Sequence, residues 1–162
     1  MPVTPFHFGP GAAIHAIAPR QISFLAFCAA NVLTDVEPLY YMLTGQGHPH
    51  RFLHTYVGAT LTALATCWLF VAALRLAKKL PLPNIFNWQS LTLPAVAMGA
   101  FIGTYSHIVL DSIMHADIRP LAPFSDINPL LGLISLRALQ GVCVVSGVLA
   151  LAVLGIRRVL RR

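Results

Sequence analysis

The stretch Gly103-Thr104-Tyr105-Ser106-His107-Ile108-Val109-Leu110-Asp111-Ser112-Ile113-Met114-His115 closes a long apolar run that begins near Leu91. His107, Asp111 and His115 are four residues apart, so on a helix each step advances about 40° and the three share one face. Ionisable groups on one stripe of an apolar helix are costly in a membrane and mark a functional site. Imidazole and carboxylate at this spacing reach a common cation. The stretch therefore reads as part of a metal site on a membrane helix.

The rest of the chain fits that reading. Of its 162 residues, 57% are hydrophobic and 10% charged, against about 25% charged in a soluble domain. This is the composition of an integral membrane protein. The length suits one domain, residues 1–162. The net charge of +6 comes largely from Arg75, Lys78 and Lys79 and from Arg157, Arg158, Arg161 and Arg162. These cations follow apolar runs without interleaved aromatics, which argues for a lipid bilayer as partner and against nucleic acid. Cys28, Cys67 and Cys143 lie in apolar stretches with no CxxC, and read as small buried hydrophobes.

In chain order, Pro10 and Pro19 bracket a run too short to span, so a half-helix over 11–18 dips beside the bundle; a signal peptide is not indicated. The apolar segment 21–34 ends at Thr34-Asp35-Val36-Glu37-Pro38, where Pro38 is expected to stop the helix. Residues 53–76, 91–115 and 130–156 read as further spans, giving an all-α bundle of four transmembrane helices plus the half-helix. The basic flanks place the ends of the 53–76 and final helices in the cytoplasm. Loops 35–52 and 112–130 then lie together on the extracytoplasmic side, bringing every acid and most histidines to one end.

His50 and His54 open the 53–76 helix at the same spacing of four. Alone they read equally well as interfacial histidines; beside the His107/Asp111 stripe they read as ligands. Asp35, at a helix end of the same depth, joins them, and Glu37 is a supporting group or a base. His7 is either a satisfied buried histidine or a ligand, while His15 and His48 are left as ordinary histidines. Arg51 at the mouth either holds a phosphate or carboxylate or anchors at the interface. Asp117 and Arg119 are expected to pair with each other or face water. Asp126 either caps a helix or completes the site.

These residues resemble a known family. His50-Arg51-Phe52-Leu53-His54-Thr55 is similar to the "HRGxTHS" signature of the YdjM-like inner-membrane metal-dependent hydrolases. Ser106-His107 through Asp111, followed by Arg119-Pro120-Leu121-Ala122-Pro123, resembles that family's "SHxxxD…PxxxP" block. Thr34-Asp35-Val36-Glu37-Pro38 is similar to its "PDxDxP" segment. The chain lacks the glycine after Arg51, has Leu53 in place of threonine and carries His115 where threonine is frequent. The His-x3-Asp pair is also similar to that of zinc-dependent phospholipase C, an all-helical enzyme. The resemblance implies a multi-pass protein of the bacterial inner membrane.

The expected ligands are Asp35, His54, His107 and Asp111, followed by His50, His7 and His115. Zinc suits imidazole and carboxylate without thiolate. The chemistry would be hydrolysis of a phosphoester or other small, lipid-like substrate, with Glu37 or Asp126 as base and Arg51 on the substrate anion. Two rivals stand beside it: a b-type haem protein with His54 and His107 as axial ligands, and a non-catalytic metal-binding or transport protein.

The charge pattern makes a testable statement about orientation. Alkaline phosphatase fused after Gly47 should be active, and fused after Arg162 inactive. Activity in the C-terminal fusion alone would reverse the topology.

Overall fold

The computed structural model describes residues 4–160. Among these are six α-helices: α1 (Thr4–Ile17), α2 (Phe24–Thr34), α3 (Val36–Leu43), α4 (Tyr56–Ala77), α5 (Leu93–Met114) and α6 (Leu136–Leu160), with short 3-10 turns at Phe52–His54 and Ile85–Ser90 and no strand. Polar residues at the edges of the apolar runs start three of the helices. Ser23 Oγ accepts from Ala26 N–H, Thr55 Oγ1 from Gly58 N–H and Thr92 Oγ1 from Ala95 N–H, each satisfying an amide that the helix itself cannot.

Helices α4, α5 and α6 are long and apolar enough to cross a membrane. The segment expected as a fourth span is different. Its helix, α2, has 11 residues and is about 16 Å long, half the thickness of a bilayer core. Pro38 does not end a helix either. It is the third residue of α3, in the first turn, where no intrahelical acceptor awaits its missing N–H. The chain interrupts itself one step earlier, at Asp35, between α2 and α3. The N-terminal helix is longer than the expected half-helix and runs through Pro10. The last helix begins at Leu136 because residues 130–135 pass through turns.

The centre of the fold is a parallel pair, α2 and α5. Gly99 lies against the Ser23 carbonyl, Gly103 against the Phe27 carbonyl, and the His107 ring against the Asn31 side chain. Each pair is separated by 76 residues, as is Asp35 from Asp111. The buried face of α5 is small-sided (Ala95, Gly99, Ala100, Gly103) until it reaches Thr104, His107 and Asp111. Small residues let the backbones approach, which is how helices associate where lipid competes equally for apolar side chains. Helix α4 runs antiparallel to α5 and closes a core of Ala30, Ala63 and Ala100. Helices α1 and α6 form a second parallel pair: Gly9 packs on the Cys143 carbonyl, and Arg157 donates to the Ala16 carbonyl. Leu61, Leu64 and Trp68 on α4 and Val142, Val145, Val148 and Leu149 on α6 face outward, the apolar coat expected of a bundle in lipid.

A Cβ on Gly99 would overlap the Ser23 carbonyl oxygen, a backbone atom that cannot rotate away. Gly99→Ala should therefore lower stability in detergent by about 1–3 kcal/mol, the usual cost of overpacking. An unchanged unfolding midpoint would mean that α2 and α5 are further apart than described.

Candidate metal centre

Four side chains from three chain segments meet at one end of the bundle. Asp35 comes from the α2–α3 joint, His54 from the 3-10 turn before α4, and His107 and Asp111 from the last two turns of α5. His107 Nε2 is 3.1 Å from both Asp35 Oδ1 and Asp111 Oδ2. His54 Nε2 is 3.6 Å and 3.5 Å from the same two oxygens, and the two Nε2 atoms are 3.3 Å apart. A tetrahedron with metal–ligand bonds of about 2.0–2.1 Å has edges of about 3.3–3.4 Å. The five measured edges, 3.1–3.6 Å, bracket that value. His54, His107 and Asp111 are fully buried, and neither oxygen of Asp111 lies in hydrogen-bond geometry. A bare carboxylate in such a place costs several kcal/mol unless a cation compensates it. The donor set fits a divalent metal.

The surroundings orient the ligands. Asn31 Nδ2 donates to the Phe27 carbonyl, so its Oδ1 is free to accept from His107 Nδ1–H at 2.9 Å. That bond places the His107 lone pair on Nε2, toward the other donors, as a metal-bound histidine requires. The Asn31 contribution was invisible in the sequence, where a single amide sits in an apolar run; the parallel offset is what reveals it. Glu37 accepts from the amides of Phe52 and Leu53, at 3.1 and 2.7 Å, and so holds the turn that ends in His54. Both Glu37 oxygens are thus occupied by backbone, which matches the supporting role that the sequence offered beside that of a base. The His54 ring also packs edge-on against His50, with centroids 4.7 Å apart.

Of the remaining expected residues, His7 Nε2 is 3.1 Å from Asp111 Oδ1, so α1 supplies a histidine to the far side of the same carboxylate. His115 leaves the helix as the C-cap of α5, with φ −115° and ψ 122°, and stacks near His50 with centroids 4.5 Å apart. The shared stripe thus holds for His107 and Asp111 only. Ligand atoms of His50, Asp111 and His115 lie within 4.8 Å of one another. Asn128 Nδ2 donates to the Ser112 and His115 carbonyls, closing the end of α5. Asp117 and Arg119 do not pair. Asp117 Oδ2 accepts from His50 Nδ1–H at 2.9 Å; burial pushes its carboxyl up, but the His50 bond outweighs it and holds Asp117 below the usual range. Burial keeps the His115 imidazole below its usual range, and hence neutral. Arg119 pairs instead with exposed Asp126 at 2.8 Å, apart from the buried donors. Arg51 is tied within its own loop to Gln46, Gly47 and His48 and lies over the Tyr41 ring.

Haem ligation by His54 and His107 is not compatible with this geometry. Axial nitrogens stand about 4 Å apart, twice a metal–nitrogen bond, with a macrocycle between them. Here 3.3 Å separates them, and two carboxylates fill the intervening edge.

Two clefts border the centre. One, of about 450 Å³, is lined by His48, His50, Arg51, Asp117 and Arg119 among others. The other, of about 300 Å³, is mostly apolar and lined by Phe6, His7, Met114, His115, Leu139 and Cys143. Neither a protein-family model, a curated protein nor a solved structure matches this chain.

Asn31→Ala should weaken metal binding by about 10–100-fold while leaving the four donors in place, the usual effect of removing the partner of a ligating histidine. Competition against a chromogenic zinc chelator measures it. Wild-type affinity in the variant would remove Asn31 from the account.

Proposed function

We propose that this protein is a membrane-embedded, metal-dependent hydrolase, with zinc held by Asp35, His54, His107 and Asp111. One observation carries the reading: four imidazole and carboxylate donors from three segments converge with the edge lengths of a tetrahedral zinc site. The resemblance to the YdjM-like hydrolases supports the same conclusion and, with it, a place in the bacterial inner membrane. The basic ends of α4 and α6 support an extracytoplasmic site.

The substrate is an amphiphile with an anionic, hydrolysable head. The charged cleft offers Arg51 and Arg119 to a phosphate or carboxylate, and the apolar cleft suits an acyl or prenyl tail. Zinc supplies a lowered pKa to bound water and polarises the scissile oxygen. The chain's own residues position the donors (Asn31, Glu37) and hold the head group at the cleft, where Asp126 tethers Arg119.

The rival with an observation in its favour is a non-catalytic metal-binding protein, because four protein ligands close a tetrahedral site. Transport is less well supported. The ionisable residues gather at one end and do not line a path.

Elemental analysis of detergent-purified protein should find zinc bound. His107→Ala and Asp111→Ala should lose at least 90% of it while still inserting. Zinc-loaded wild type should hydrolyse at least one amphiphile in a panel of phosphomonoesters, phosphodiesters and amides, and a chelator should stop it reversibly. Metal-free wild type would overturn the metal site. A loaded protein inert across the panel would favour the non-catalytic rival.

A further inference from the structure

Beyond the four-ligand centre, His50 Nε2 and His115 Nε2 are buried without a hydrogen-bond partner. The Asp111 oxygen Oδ1 faces His7 Nε2 at 3.1 Å. His50 is 6% exposed, and its other nitrogen donates to Asp117. That bond forces the His50 lone pair onto Nε2, the carboxylate–histidine arrangement that second neighbours of a metal adopt. The ligand atoms of His50, His115 and Asp111 lie within 4.8 Å of one another. Donors to one tetrahedral ion stand about 3.3–3.6 Å apart, so side-chain adjustment of up to about an ångström seats them. Asp111 belongs to both donor groups.

We propose that a second divalent ion binds His50, His115 and Asp111, with the Asp111 carboxylate bridging it to the first. This rests on the metal-hydrolase reading and deepens it. The two positions differ in kind. The first has four protein donors and is closed; the second has three and keeps a coordination position free, which is the mark of a reactive ion. His50 lines the charged cleft and His115 the apolar one, so each cleft reaches one ligand of the second ion. The first ion then neutralises the buried carboxylates, and the second faces the substrate. Paired ions of this kind sit about 3.5–4 Å apart and clamp both oxygens of a displacement.

The test is stoichiometry and magnetic coupling in full-length protein in detergent. Wild type dialysed against zinc should hold two equivalents per chain. His50→Ala and His115→Ala should each hold one, and Asp117→Asn should weaken only the second equivalent, by about 10–100-fold. Wild type loaded with Mn(II) should give an exchange-coupled spectrum by electron paramagnetic resonance, which needs no variant to fold. One zinc equivalent with an uncoupled Mn(II) signal would overturn the second site and leave the first standing. No bound metal at all would overturn both. A folded His115→Ala that loses both equivalents would overturn the division of donors, since His115 would then belong to the first ion.

Discussion

Asp111 is a carboxylate with no exposed surface, set near the end of an apolar helix. Its desolvation costs several kcal/mol, and the arrangement around it is what makes that cost sustainable. His54 and His107 face one oxygen, His7 the other, and Asp35 stands across from it. Removing any of these leaves a buried charge with fewer partners, so the groups stand or fall together. The polar residues that look incidental, Asn31 and Glu37, hold imidazoles in the orientation that this carboxylate needs.

The parallel offset between α2 and α5 is the device that brings the donors to one height. Glycines at positions 99 and 103 set the distance, and the same register carried two turns further places Asn31 beside His107 and Asp35 beside Asp111. Packing and chemistry are therefore one pattern read at different depths. The lower turns are small and apolar, so the helices close; the upper turns are polar, so the closed helices present ligands. A shift of register by one turn would move Asn31 and Asp35 out of reach together.

Much of the site was legible because metal donors are rare in apolar sequence. His107 and Asp111, four residues apart, and His54 and Asp35 at segment ends stood out against their surroundings, and the structure brings all four together. What could not be read depends on backbone paths that spacing does not encode. His115 shares the periodicity of His107 and Asp111, yet the helix stops before it. Pro38 looked like a terminator, but a proline within the first turn forfeits nothing. Glu37 carries the chemistry of a base, and only the position of the 52–54 turn shows that its oxygens are occupied. Asn31 gave no signal, since its partner lies 76 residues away. The expected fourth span failed on length: an apolar segment of 14 residues was counted although the helix within it has 11.

The pairing of α1 with α6 has a consequence for biosynthesis. Gly9 rests on the Cys143 carbonyl and the end of α1 is held by Arg157, so α1 has its chief neighbour in α6, far along the chain. While the ribosome is still producing α4 and α5, α1 has no α6 to lean on, and His7 has nothing to hold it beside Asp111. The donors on α2, α4 and α5 can gather earlier. The wall formed by α1 and α6 can therefore close only after α6 has been made, as a door fitted to a frame.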